Sequence, residues 1–377
     1  MKKGYIYILI IVLVITLVVV NQKKNSKTFV VDGVRYSTSL DGNSVDSFPS
    51  KGDYEVEVNC INAKGSWNYS KWVARINNIT GKVSCNISFT SKTPTNINDY
   101  IKGLAGTEQG TGQVVNEKGY RYEGKNPNNY IYFNDELWRI IGVFDESTHG
   151  KSGQYLTKII RNDSLGGYVW DKSIKNNWAT SSLYNLLNTN YYNATDGTSG
   201  GNCYQYSYRI TGNCDYTETG LQSEYRNMVE NVTWYLGGKD SGNYTAEVFY
   251  TGERDSTSVY SGNTSSITGY IGLMYASDYG YSVLSTSCAR TTSLSDYNTS
   301  ACGGSSWLKK ETYEWTVTHR ISSSRFSLYL NYSASLNNDC YANFGYATRP
   351  VLYLKSNVQV YAGDGSISKP YQIKLAS

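Results

Sequence analysis

The chain has 377 residues, a formal net charge of +4 and only 18% charged residues. That length gives room for two or three domains, each with its own core. So small a positive excess, with no long basic run, excludes a nucleic-acid footprint, and no nucleic-acid partner is expected.

Tyrosine (37) far outnumbers phenylalanine (8), and glycine (35) is equally abundant. This composition suits β-rich folds with long ordered loops, where tyrosine gives contact area at low entropic cost. The plainer account is that tyrosine replaces Phe and Leu in a half-wet β core.

From the N-terminus, Lys2-Lys3 precede an uncharged apolar run, Gly4–Val20, which Lys23 and Lys24 follow. As a helix it would be about 25 Å long, close to the minimum for a bilayer core. No small-residue cleavage site follows, so the run predicts an uncleaved signal anchor. The expected partner there is the membrane, with single-pass attachment and the rest of the chain extracytoplasmic. Residues 1–27 form the anchor and its basic flank.

Residues 28–95 read as a small β module. In Tyr54–Cys60 apolar and polar residues alternate, the period of a sheet buried on one face. Cys60 and Cys85 bracket Trp67 and Trp72, which predicts a sandwich-like unit pinned by a disulfide. Residues 96–119 are rich in Gly, Thr, Gln and Asn and read as a linker.

Residues 120–377 form the C-terminal domain. It opens with three β-type runs, Tyr130–Phe133, Leu137–Phe144 and Tyr155–Ile160, the first two joined by the turn Asn134-Asp135-Glu136. Thr180-Ser181-Ser182 before Leu183, Leu186 and Leu187 predicts a capped helix. Leu221, Tyr225, Met228, Val229 and Val232 keep helical spacing and predict a second, from about Thr217 to Trp234. The closing strands are expected at Glu314–Thr318, Arg325–Leu330, Ala342–Tyr346 and Arg349–Leu354, with an edge strand after Pro370. The expected fold class is therefore α+β: an N-terminal transmembrane helix, a small β-sandwich-like module, then a mainly antiparallel β domain with two helices.

Seven cysteines without a Cys-x-x-Cys, and only two histidines, argue against a zinc site. Local spacing pairs Cys60 with Cys85, Cys203 with Cys214 and Cys288 with Cys302, leaving Cys340 over. His149, in a polar loop, and His319, at a strand end, suit exposed or capping roles better than catalysis. Asp135, Glu136, Asp171, Asp278 and Glu314 could supply carboxylate pairs for a hydrolase, but no pair stands out. Asp135-Glu136 reads as a turn, and Asp171 and Asp278 as loop-ordering acceptors. No catalytic, cofactor or metal residue is assigned.

Two resemblances add to this. Tyr120-Arg121-Tyr122, Gly124, Asn126–Tyr130, Trp138–Phe144, Lys158–Arg161, Trp170-Asp171, Trp178, Ser181–Leu183, Trp307-Leu308 and Arg349–Leu352 resemble a domain of exported proteins of Gram-positive gut bacteria. That family implies no activity. The order of strands, helices and cysteine-stapled loops, with Tyr270-Ile271-Gly272-Leu273, is similar to C-type-lectin-like and sulfatase-modifying-factor-like domains. The lectin calcium signatures are absent. The expected function is a membrane-anchored surface protein binding a glycan or a surface protein, with loops 189–215 and 255–310 as its contact face. The alternatives are a structural or pilus-like subunit and a cell-surface hydrolase.

Overall fold

The computed structural model describes residues 33–205 and 214–376, together with the backbone of Ile6–Tyr7 and Thr28–Val31. The chain divides into two compact units. The first comprises residues 1–95 and 361–363, and the second residues 96–360 and 364–377. Strands account for 36% of the described residues and helices for 14%.

This corrects the expected fold class. The protein is mostly β, and no helix among the described residues is long and apolar enough to cross a membrane. Within the run expected to be a transmembrane helix (Gly4–Val20), Ile6 and Tyr7 form a strand paired antiparallel with Ile76 and Arg75. The rest of that run lies outside the described residues. The physical reason for the misreading is composition. Apolar runs rich in Ile and Val fit a strand as well as a helix, and periodicity cannot separate the two.

In the first unit, strands Thr28–Val31, Val34–Leu40, Ser84–Ser91 and Tyr54–Ile61 line up in that order, with Asn43–Val45 added beside Val34–Leu40. Lys64–Asn68 and Val73–Asn77 form a second sheet. The alternation in Tyr54–Ile61 pairs residue for residue with Ser84–Ser91. One core of Val34, Val56, Ile76, Ile87 and Phe89 is buried between them. Trp67, Trp72, Phe48 and Phe89 pack edge-on and tilted at 5.1–5.9 Å. The Cys60–Cys85 disulfide joins directly paired residues of one sheet, Cα atoms 4.0 Å apart.

The second unit begins inside the segment expected as a linker. Ile97–Gly103 is a helix capped by Asn96, whose Oδ1 accepts from the Asn98 and Asp99 amides. Thr111–Asn116 then pairs with Tyr120–Asn126. Ile97, Ile101 and Val114 are buried in the main core, so 96–119 is structured and not a linker.

The central sheet runs in the order Glu108–Gln109, Thr111–Asn116, Tyr120–Asn126, Glu136–Phe144, Leu156–Arg161, Val351–Tyr353, with Tyr130–Phe133 also paired to Glu136–Phe144. The first hairpin turns at Asn134 and Asp135, both at positive φ (56° and 60°), as a two-residue type I′ connection requires. The Asn134 Nδ2 donates to Gly220 O at 3.1 Å and its Oδ1 accepts from the Gln222 amide at 2.8 Å. Asn134→Ala should therefore cost about 2 kcal/mol, from αL strain and two lost hydrogen bonds. An unchanged urea midpoint would refute this.

The first predicted helix forms as Ser182–Asn185, with Ser181 Oγ accepting from the Tyr184 amide, and continues as a π-helical turn, Leu186–Tyr191. The second does not form. Only Ser223–Arg226 is helical, and Val232–Tyr235 is a strand paired with Ser266–Gly269. Val232 and Trp234 alternate inward, a period-2 pattern lying under the apparent 3.6-residue one.

A second five-stranded sheet closes the domain, in the order Gly167–Val169, Gly345–Ala347, Glu314–His319, Phe326–Leu330, Leu336–Tyr341. Disulfides join Cys203 to Cys214 and Cys288 to Cys302, and Cys340 is a buried thiol.

Candidate functional site

Many described aromatics of the loops expected as the contact face (189–215 and 255–310) are interior, and residues 206–213 lie outside the described residues. Tyr191, Tyr275, Tyr279 and Tyr297 are all buried in the core. Three of the four hydroxyls find a backbone carbonyl inside, and that of Tyr191 has no hydrogen-bond partner among the described residues. Tyr275 Oη donates to Tyr235 O, Tyr279 Oη to Ala334 O, and Tyr297 Oη to Gly280 O, at 2.7–2.9 Å.

Exposed aromatics gather instead on the closing sheet. Tyr332 is 59% exposed, Tyr341 41%, Tyr313 38% and Phe344 37%, all well above the buried rings of the loops. Tyr313 lies nearly parallel to Tyr346, with centroids 5.1 Å apart and planes at 18°. Tyr332 meets Tyr313 edge-on at 5.6 Å. Beneath them Trp315 supports Tyr346 at 4.6 Å, and Tyr329 packs on Tyr346 at 5.0 Å.

Tyr313 and Tyr346 line an open groove of about 320 Å³, with Ser164, Gly166, Gly167, Thr312, Gly345 and Ala347. Gly167 pairs with Ala347 and Gly345 with Val169, and both glycines are among the residues that line the groove. Gly166, at φ +141°, holds a conformation that side chains rarely adopt.

The rings are held in place from behind. Trp315 Nε1 donates to Tyr168 O at 2.9 Å, and Trp170 Nε1 to Thr316 O at 3.0 Å. Tyr329 Oη donates to Asp339 Oδ1 at 2.7 Å, and the Cys340 thiol to Tyr346 Oη at 3.1 Å. Burial pushes that thiol up to about 11, so it remains a neutral donor. Arg349 grips Glu314 from the same sheet with two bonds of 2.6 and 3.0 Å.

The carboxylates and histidines singled out from the sequence are placed elsewhere, and none lines the groove. Asp135 accepts from Tyr225 Oη at 3.1 Å, and Glu136 pairs with Arg161. Asp171 accepts from the amides of Ser173, Lys175 and Ser182 at 3.0–3.1 Å, a loop-ordering role.

Both histidines are buried, correcting the exposed or capping reading. His149 Nε2 lies 3.1 Å from Phe144 O, Nδ1 accepts from the Lys151 amide, and the ring packs on Tyr353. His319 has no hydrogen-bond partner at either nitrogen among the described residues. Burial drives it down to about 4.

Asp278 is the hub of a buried charge cluster. Its Oδ1 accepts from Arg121 Nη1 at 3.1 Å, and its Oδ2 from Lys158 Nζ and from the Tyr275 amide. Burial pushes the carboxyl up, but Lys158 and Arg121 outweigh this and hold it below its ordinary value. The Lys158 ammonium sits 4.4–5.8 Å from the rings of Tyr275, Tyr353, Trp234 and Phe144. Glu253 caps the adjacent helix, accepting from the Ser277 amide and from Thr318 Oγ1. These groups are all interior, which marks the cluster as structural.

The groove tyrosines Tyr313 and Tyr346, and Tyr332 beside them, were not singled out from the sequence. The nearest signal was the chain-wide excess of tyrosine over phenylalanine, 37 against 8.

Compared with known proteins, the chain matches no family model, no curated protein sequence and no solved structure. Neither the gut-bacterial domain family nor a C-type-lectin-like fold is therefore supported by a match.

Proposed function

We propose that this is an exported protein whose second unit binds a glycan in the tyrosine groove. The observation that carries the reading is the near-parallel, partly exposed Tyr313–Tyr346 pair that lines the groove. Flat aromatic faces suit the C–H faces of sugar rings, and tyrosine presents them with little entropy to lose.

A peptide added as an extra strand fits less well. Gly345–Ala347 is already paired with Gly167–Val169 on one side and bridged to Glu314 on the other, so its backbone is spent. Three disulfides fit an extracellular or otherwise oxidising compartment. That is where a surface glycan would be met.

The test is a glycan array probed with the full chain. Binding should fall about tenfold in Tyr313→Ala, the loss expected when one stacking face worth about 1.4 kcal/mol is removed. Tyr332→Ser, further out on the patch, should weaken it less. Silence across the array, or binding indifferent to Tyr313→Ala, would overturn the proposal.

A further inference from the structure

We propose that the buried charge cluster around Asp278 binds a monovalent inorganic anion, chloride, on the free guanidinium nitrogens of Arg121 and Arg254. The site is independent of the tyrosine groove.

Three elements bring the cations together. Arg121 comes from strand Tyr120–Asn126, Lys158 from strand Leu156–Arg161, and Arg254 ends helix Ala246–Arg254. Arg121 and Lys158 meet on Asp278. Arg254 is tied to both through shared rings. Its Cζ lies 3.7 Å from the Tyr250 centroid, over which Arg121 Cζ stands at 6.0 Å. It also lies 5.2 Å from the Tyr275 centroid, over which Lys158 Nζ stands at 4.4 Å. Phe144 at 4.5 Å and Tyr281 at 4.9 Å enclose the Arg121 guanidinium. The three charges thus share one aromatic cage.

Donors in that cage outnumber acceptors. Arg121, 1% exposed, donates from Nε to Glu117 O and from Nη1 to Asp278. Its Nη2 is buried and has no partner among the described residues. Arg254 donates from Nη1 to Tyr250 O and, at 3.4 Å, to Glu253. Its side chain is 11% exposed, yet its Nε and Nη2 are themselves buried and likewise unpartnered. The Tyr353 hydroxyl, on a ring 5.5 Å from Lys158 Nζ, is a further buried donor without a partner. A charged donor left unpaired inside a fold is costly, and buried polar groups are nearly always satisfied.

The charges do not balance either. Arg121, Lys158 and Arg254 face two carboxylates, Asp278 and Glu253, and no other described carboxylate lies within 4.0 Å of the three. One negative charge is missing. A water would accept from these donors but must place two hydrogens of its own, and both oxygens of Asp278 and of Glu253 already accept bonds. An anion needs donors alone, and its bonds to guanidinium are charge-assisted. Chloride carries the one charge required, whereas sulfate would bring two.

The test is urea unfolding of the full chain at fixed ionic strength, with sodium chloride exchanged for sodium gluconate. By linkage, the unfolding constant should fall at least about tenfold between about 3 and 300 mM chloride, the response of a site with a dissociation constant of about 30 mM or tighter. Arg254→Met removes two free nitrogens and the surplus charge, and should abolish that response. Lys118→Met, which removes an exposed cation over the same Tyr250 ring at 5.6 Å, should keep it. Crystals grown in sodium bromide should show an anomalous peak in contact with Arg121 Nη2 and Arg254. Unfolding indifferent to chloride, or a response that survives Arg254→Met, would overturn the proposal. If Arg254→Met does not fold, the native crystals decide: a bromide peak upholds the site, and an ordered water or nothing in its place overturns it.

Discussion

Asp278→Asn should cost the second unit about 3–5 kcal/mol, whereas Lys158→Met should cost within about 1 kcal/mol. The asymmetry follows from which charges each change leaves behind. Asp278 is the one carboxylate that both Lys158 and Arg121 contact. Without it, two cations stay buried with no anion in contact, and breaking a buried pair costs far more than the pair was worth. Asparagine keeps the shape and an acceptor for the Tyr275 amide, so the loss reads charge and not packing.

Removing Lys158 instead leaves Asp278 with Arg121 and the Tyr275 amide. Methionine fills the space among Phe144, Trp234, Tyr275 and Tyr353, and its sulfur is favourable against ring edges. Urea denaturation followed by tryptophan fluorescence measures both, because Trp234 borders the cluster. The account fails if Lys158→Met is as damaging as Asp278→Asn, or if Asp278→Asn is nearly silent.

How legible this was in the sequence depends on the range of the contacts. The opening hairpin could be read because its code is local. Apolar runs flank Asn134-Asp135, and the two positive φ values need just such residues. The segment from Thr217 to Trp234 was misread because two periods overlap there, and partner strand Ser266–Gly269 decides between them. His149 sits among polar neighbours, yet its ring is buried by Tyr353, some two hundred positions along the chain.

The groove is the extreme case. Tyr313 and Tyr346 come together because Gly345–Ala347 inserts between Gly167–Val169 and the strand beginning at Glu314. Nothing near either tyrosine announces that insertion. The aromatic loops looked like a surface because their composition is polar. Composition alone does not show that a tyrosine hydroxyl has found a carbonyl inside.

Two buried groups, His319 and Glu123, should pull the native stability in opposite directions between pH 4.5 and 6.5. His319 is nearly fully buried and has no partner, and burial alone lowers it from 6.5 to about 4. Between those values the unfolded chain takes up a proton that the folded chain refuses. Its contribution is therefore lost as pH falls, by about 3 kcal/mol over the window.

Glu123 has the opposite sign. Burial raises it to about 7, and Glu117 adds to the rise, against the pull of Arg290. Between 4.5 and 7 the folded chain holds a proton that the unfolded chain has released. Its contribution is full below 4.5 and is lost as pH rises through 7, again by about 3 kcal/mol.

Single substitutions should separate the two. His319→Phe removes the acid-labile group, so the variant should gain about 3 kcal/mol relative to the native chain between pH 7 and 4.5. Glu123→Gln leaves Arg290 its contact with Glu117 at 2.7 Å and should lose a similar amount relative to the native chain between pH 7 and 4.5. Urea midpoints across the range read the slopes, which do not depend on any constant cost of either substitution. Parallel slopes in the two variants would show that neither buried group governs the pH response.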